Sequence, residues 1–100
     1  MDDISISRDD RQHRYQARVG NVVAGYCEYS RSDGVIALTH TAVSPECEGR
    51  GVGSALAVRA LDDARAEGLR VEPACRFIAA YIARHPAYAD LVRPGHAGSP

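Results

Sequence analysis

The sequence predicts an α/β fold: an antiparallel meander in the N-terminal half, then a strand–helix–strand unit, with the helices packed on a mixed sheet. Three observations carry this. Between Arg14 and Val43, alternating or β-branched runs are separated by short turn signals, the period and punctuation of hairpin-linked strands. Gly49, Gly51 and Gly53 close that region, and the apolar spacing then becomes that of a helix through residue 67. A short apolar run at residues 69–71 follows, and a strand, a crossover helix and a second strand make a right-handed parallel unit.

Residues 1–13 carry many charges, Asp9-Asp10-Arg11 among them, and read as a short edge strand or a loose lead-in. Tyr15, Ala17 and Val19 alternate with Arg14, Gln16 and Arg18, giving a strand with one apolar face. Gly20-Asn21 marks a turn, although the favoured hairpin order is Asn-Gly. Residues 22–29, rich in β-branched and aromatic side chains, form the returning strand. After the turn signal Ser32-Asp33-Gly34, Val35–Val43 is the strongest strand of the chain, and its apolar content on both faces predicts a central strand covered on each side.

Ser44-Pro45 ends that strand, because proline cannot donate to a ladder. In the helix over 52–67, Leu56, Ala57, Ala60, Leu61 and Ala64 line one face, and Arg59, Asp62, Asp63 and Glu67 the other. Gly68 stands where a glycine ends a helix. The strand at 69–71, stopped by Pro73, lies parallel to Val35–Val43. A second helix over 75–84 follows, with Phe77, Ile78, Tyr81 and Ile82 as its apolar stripe. Pro86 interrupts it, and residues 87–92 add a helical turn or two. The expected domain covers 1–93, and the polar, breaker-rich 94–100 reads as a disordered tail.

One hundred residues suffice for one modest core. Twelve basic residues against thirteen acidic give no bulk charge to attract nucleic acid or a membrane surface. No apolar run approaches the ~20 residues of a membrane span, and Met1-Asp2-Asp3-Ile4 is unlike a secretory leader. Cys27, Cys47 and Cys75 are odd in number and far apart, which fits neither a disulfide framework nor a zinc site. A reducing cytoplasmic compartment and no metal are the expectation.

The glycine turn is the chemically suggestive stretch. Where such a turn opens a helix, unpaired backbone N–H groups converge at the positive end of the helix dipole, which suits a phosphate or diphosphate. Two familiar motifs do not fit. A P-loop needs Gly-Lys-Ser/Thr, and there is no lysine near. A dinucleotide fingerprint is closer, with Glu72 where a ribose-binding acid would sit, but Ser54 occupies its third glycine position and an antiparallel meander precedes it.

The pattern resembles the GNAT superfamily of N-acetyltransferases, whose acetyl-CoA loop reads Arg/Gln-x-x-Gly-x-Gly/Ala. Gly51 and Gly53 match its glycine positions, and Glu48 stands in place of Arg or Gln. Leu38-Thr39-His40-Thr41, the glycine turn through Leu56, Val71-x-Pro73-x-Cys75-x-Phe77, Tyr81 and Arg84-His85-Pro86-x-Tyr88-x-x-Leu91 follow in order. Over residues 14–92 this is similar to the small single-domain "minimal" acetyltransferases, with Arg76 departing from the small residue or proline expected there. The resemblance implies a GNAT-like fold that binds acetyl-CoA as acetyl donor. Pantetheine would run between strand Val35–Val43 and the strand at 69–71, which splay apart in this superfamily. The implied cofactor contacts are Thr41 and Val43, then Glu48, Gly49, Arg50, Gly51, Val52, Gly53 and Ser54, then Cys75 and Tyr81.

Acetyl transfer to an amine needs a base for the amine proton and stabilisation of the oxyanion. His40 and Cys75 are the catalytic candidates. Imidazole titrates near working pH, and a thiol after Pro73 at a helix N-terminus is expected to be acidified. Cys75 either accepts the acetyl group with His40 as base, or lines the acyl pocket while the amine attacks CoA directly, the usual superfamily route. Both residues could also simply pack, His40 sharing a strand face with Leu38 and Ala42. His85 and Tyr88 read as packing residues, and Cys27 and Cys47 attract no functional reading. The partners expected are acetyl-CoA and an amine, small molecule or protein lysine, acting on a monomer or homodimer. A CoA-binding module without turnover and a small dinucleotide-binding or scaffolding domain are the rival readings.

Overall fold

In the computed structural model of the chain, residues 3–92 are described; the tail expected at 94–100 lies outside them. Five strands form one sheet in the order β1(Ile4–Asp9), β2(Arg14–Val19), β3(Val22–Ser32), β4(Val35–Val43) and β5(Arg70–Glu72). The first four pair antiparallel. The crossover helix α1(Val52–Ala66) returns the chain so that β5 lies parallel to β4, with Val35 opposite Arg70 and Ala37 opposite Glu72. α2(Arg76–Arg84) and a 3-10 segment, Pro86–Leu91, complete the described chain.

The charged lead-in resolves into a true edge strand, because Ile4 and Ile6 pack against the core while Ser5 and Ser7 face solvent. α1 sits on the face carrying Tyr15, where the Tyr15 hydroxyl donates to Asp63 at 2.9 Å. Arg59 adds a 3.0 Å bond to Asp63 and a 3.2 Å bond to the Ile6 carbonyl, and Arg8 also pairs with Asp63 and Glu67. Gly68 ends the helix as predicted: its N–H reaches Arg65 O at 3.2 Å, and Leu69 N–H reaches Ala64 O at 2.9 Å. α2 buries Ile78, Tyr81 and Ile82, and Arg65 ties the 3-10 segment back to α1 through Asp90 and the Ala87 carbonyl.

Two expectations about β4 are corrected. It is central in hydrogen bonding, between β3 and β5, but its helix cover is on one face: Ile36 and Leu38 are buried, whereas Val35 and Ala37, which alternate with them, are only partly so. The reverse face of the neighbouring strands carries Arg14, Gln16, Tyr26 and Glu28, which are all half-buried. The second correction concerns His40. Tyr29 pairs with Leu38 and Glu28 with His40, so Thr39 is an extra residue, a β-bulge. Adjacent residues of β3 point to opposite faces, and so Leu38 and His40 do too. His40 is exposed on the uncovered face, 5.7 Å from the Tyr26 ring centroid.

Candidate active site

β4 and β5 stay paired only as far as Ala37 and Glu72. Pro73 cannot extend the ladder, and the chain swings over it so that Cys75 N–H returns to Leu38 O at 2.9 Å. Past this point β4 runs on to Val43, still paired with β3 but with no strand on its other edge among the described residues. The result is a wedge with β4 on one side and the start of α2 on the other. Cys75 is the residue that caps α2, in extended conformation (φ −92°, ψ 132°).

The bulge brings Thr41 into register with Cys27, on the face that α1 covers. Its hydroxyl lies 3.5 Å from Cys75 Sγ and 3.6 Å from Cys27 Sγ. Burial alone would push the Cys75 thiol up. Hydrogen bonding with the Thr41 hydroxyl and with the backbone N–H groups of Ile78, Phe77 and Thr41 outweighs it, so the thiol is more acidic than usual. Cys27, fully buried, is affected in the opposite sense: desolvation dominates and pushes it up to about 11 despite the Thr41 contact.

The far end of the wedge is the glycine turn. Gly49 and Gly51 have φ of 83° and 82°, left-handed values that disfavour a side chain, and a Cβ on either would meet open space. Gly51 caps α1 without any side-chain bond, and the first turn of α1 holds no acid. Ala55 N–H reaches back to Gly51 O at 2.9 Å; the N–H groups of Val52, Gly53 and Ser54 precede that first bond. A depression of about 210 Å³ lies along this end, lined by Val43, Glu48, Gly49, Gly51, Ser54 and Phe77 among others. Phe77, in the first turn of α2 beside Cys75, links it to the wedge.

Gly53 differs from the other two. It is buried within α1, and a Cβ there would stand 2.7 Å from Phe77 Cζ, so its smallness serves the contact between the helices. Arg50 and Glu48 are exposed on the turn. Tyr81 is buried and stacked on His85, ring centroids 3.9 Å apart, with Tyr88 at 6.3 Å. The structure therefore brings Val43 and the glycine turn to one depression, and Thr41 against Cys75 on the same two elements, β4 and the start of α2. It does not bring His40 against Cys75: the two stand on opposite sides of β4. A larger depression, about 430 Å³, lies between α2 and the 3-10 segment and contains none of the predicted site residues. Among the described residues no cluster of His, Cys, Asp or Glu is placed to hold a metal, and no helix is long and apolar enough to cross a membrane.

Known proteins decide what this geometry belongs to. Residues 14–91 match the family described as GCN5-related N-acetyl-transferase. The chain belongs to that family. Acetyltransferase activity follows from this membership, and acetyl-CoA is the donor general to the family. A GCN5-like protein from Staphylococcus aureus, solved by NMR, is 23% identical; the match covers 99% of this chain and 100% of that one, with a TM-score of 0.70. At that identity the likeness shows the fold. A crystallised member of the GNAT family from Desulfovibrio desulfuricans is 26% identical over 74% of this chain, with a TM-score of 0.53, and the match spans 52% of that protein. No curated protein matches the chain.

Sequence reasoning assigned Thr41 to the cofactor and gave Cys27 no role, whereas the structure joins both to Cys75. The available signal was the polar run Thr39-His40-Thr41 inside an otherwise apolar strand, which marks a break in the regular period.

Proposed function

We propose that this GNAT-family acetyltransferase acetylates an amine by direct attack on acetyl-CoA bound along β4. The observation that carries the reading is the depression running from the glycine turn to Val43 on β4 and Phe77 on α2, the two elements that carry Thr41 and Cys75 in contact two residues away. The diphosphate of CoA sits on the N–H groups opening α1, where the helix dipole and charge-assisted bonds favour an anion. Val52 and Gly53 contribute backbone N–H groups alone, since the Val52 side chain is buried and glycine has none; Arg50 and Ser54 border the phosphates. Pantetheine follows the unpaired edge of β4 in place of a strand. Tyr81 supports the helix wall from behind.

The thioester then lies in the wedge, with Cys75 towards the helix-covered face and His40 towards the bare one. The amine approaches from the bare face. Its nitrogen attacks the carbonyl carbon, the C–N bond forms and the C–S bond breaks. His40 takes the amine proton, and Cys75 gives its thiol proton to the departing CoA sulfur. The donors that converge on Cys75 Sγ hold the resulting thiolate until it is reprotonated. Those same donors favour a second reading, in which Cys75 thiolate attacks the thioester and carries the acetyl group itself. The expected compartment is the cytoplasm, consistent with three free cysteines, and the acting unit is residues 1–93 as monomer or homodimer.

The test is release of free CoA thiol from acetyl-CoA over a panel of small amines, polyamines and lysine peptides. Amine-dependent release is expected. Saturable binding with acetyl-CoA left intact against every amine would overturn it in favour of a CoA-binding module. Mass spectrometry without acceptor separates the two chemistries: an acetyl adduct present in the wild type and absent in Cys75→Ala would replace direct transfer by the covalent route.

A further inference from the structure

We propose that Thr41 is a positioning residue for Cys75: its hydroxyl, held by the buried Cys27 thiol, turns its proton to Cys75 Sγ when that sulfur gives up its own. The geometry is a row across three neighbouring segments. Cys27 on β3 pairs directly with Thr41 on β4, and Cys75 lies on the next segment over, so one Oγ1 stands within 3.6 Å of one sulfur and 3.5 Å of the other.

A hydroxyl has one proton to donate and can accept in return. With Cys75 protonated, Cys75 S–H donates to Thr41 and Thr41 donates to Cys27, as the contacts run in this structure. When Cys75 ionises, the row reverses: Cys27 S–H donates to Thr41, and Thr41 donates to the thiolate. Burial keeps Cys27 protonated, so it accepts from Thr41 while Cys75 holds its proton and still has one to donate when Cys75 ionises. Cys27 is thereby useful because it does not ionise.

The titratable residues around Cys75 leave this role to Thr41. Arg76, next in the chain, is exposed. His40 is on the far side of β4, and Tyr81, farther along α2, stacks on His85. Glu72 closes β5, three residues before Cys75 in the chain. Nor is the row a latent disulfide: Cys27 and Cys75 flank Thr41 on both sides, about two strand spacings or roughly 10 Å apart at Cα, beyond the ~7 Å a disulfide can bridge.

The consequence for catalysis rests on the reading that Cys75 stands at the thioester, but the interaction is measured without CoA. The experiment is the pH profile of iodoacetamide alkylation of Cys75, read by peptide mapping, for wild type, Thr41→Val and Thr41→Ser. Loss of one hydrogen bond to a charged sulfur should move the half-maximal pH of Thr41→Val up by about one unit. Thr41→Ser should restore it, and Cys27→Ala should shift it up by less. A Thr41→Val profile that overlays the wild type, or a Thr41→Ser profile as displaced as that of valine, overturns the proposal. Thr41→Ala is the substitute if the valine variant does not fold, with the same criterion. Absent acetyl transfer with an intact Thr41 shift would count against the enzymatic reading alone.

Discussion

Replacing Gly51 by glutamate places a carboxylate where the diphosphate of CoA is proposed to sit. The turn has room for it: nothing lies within 4 Å of a Cβ at this position. The fold cost is the left-handed backbone, φ 82°, which penalises a side chain by roughly 1–2 kcal/mol. A carboxylate at a helix N-terminus recovers about 0.3–1 kcal/mol of this. The net loss of about 1 kcal/mol lowers Tm by about 4–8 °C for a domain of this size and leaves the protein folded. Binding suffers more. One unit charge at about 5 Å from another, at an effective dielectric of about 20, costs about 3 kcal/mol, or roughly two orders of magnitude in Kd. Calorimetric titration with CoA and acetyl-CoA, with NAD as control, reads this directly. Gly51→Ala carries the strain without the charge and should bind within a few-fold of wild type. The difference between the two variants should narrow at high salt, since an exposed charge is screened. CoA binding to folded Gly51→Glu at wild-type affinity would refute the diphosphate site, and equal losses in both variants would refute the electrostatic argument.

Gly53→Ala should act through packing. The helix gains about 1 kcal/mol in propensity, but its Cβ forces the Phe77 ring, 2.7 Å away, to turn towards the groove. A small fall in Tm with weakened CoA binding is expected, and Gly53→Ala/Phe77→Leu should recover Tm non-additively. Additive effects would show that the two residues do not meet. His40→Gln should lower kcat about 100-fold with CoA affinity unchanged; an unaltered kcat removes His40 from the mechanism. Arg8 holds Glu67 below its ordinary 4.5 and Asp10 below its ordinary 3.8, its hydrogen bond being the leading cause in each. Depressed carboxylates contribute stability above their unfolded values and lose it as pH falls through the folded ones. Tm should therefore decline below about pH 4.5, and Arg8→Ala should lower Tm at neutral pH and flatten that decline. A parallel decline in both proteins would show that other groups set the acid limb.

The meander, the crossover helix and the parallel strand were legible because each is written in local chemistry: alternation in β2, the helical stripe of α1, Gly68 at its end and Pro73 after β5. Boundaries moved by up to three residues, β3 running on to Ser32, and Cys75 became the cap of α2 instead of its first residue. The glycine turn was legible as the left-handed opening of a helix, yet Gly53 proved to be a packing residue, since nothing in a Gly-x-Gly spacing reveals that Phe77 lies opposite. The phase of β4 was not readable. A single bulge at Thr39 reverses the facing of every residue after it, and it exists only because β3 supplies one fewer residue across this stretch. Alternation taken through it placed His40 beside Leu38, on the wrong face. The one-sided cover of the sheet was hidden for a related reason. Val35 and Ala37 are apolar, but residues pairing with β5 at a sheet edge are shielded by neighbouring strands without any helix above them.

The proposed reaction gives that bare face a use. A thioester enclosed between helices on both sides would need a separate channel for its acceptor. The splay after Ala37 opens the sheet itself, and the bulge sets which face each of two successive side chains takes: Thr41 beside the sulfurs of Cys27 and Cys75, His40 on the side from which the amine is proposed to approach. In that reaction the proposed base meets the amine nitrogen and the proposed acid meets the thioester sulfur, two substituents of one tetrahedral carbon, so the two groups need not touch each other. In the same proposal the edge of β4, left without a strand when Pro73 turns the chain away, serves as the cofactor's backbone partner. The strand register also predicts what removing the bulge should do. Deleting Thr39 would straighten β4 while leaving His40 opposite Glu28 and Thr41 opposite Cys27, each on the face it now holds. Such a variant should remain folded and keep both CoA binding and the low-pH alkylation of Cys75, and loss of that alkylation would show that the placement of Thr41 depends on the bulge itself and not on its pairing with Cys27.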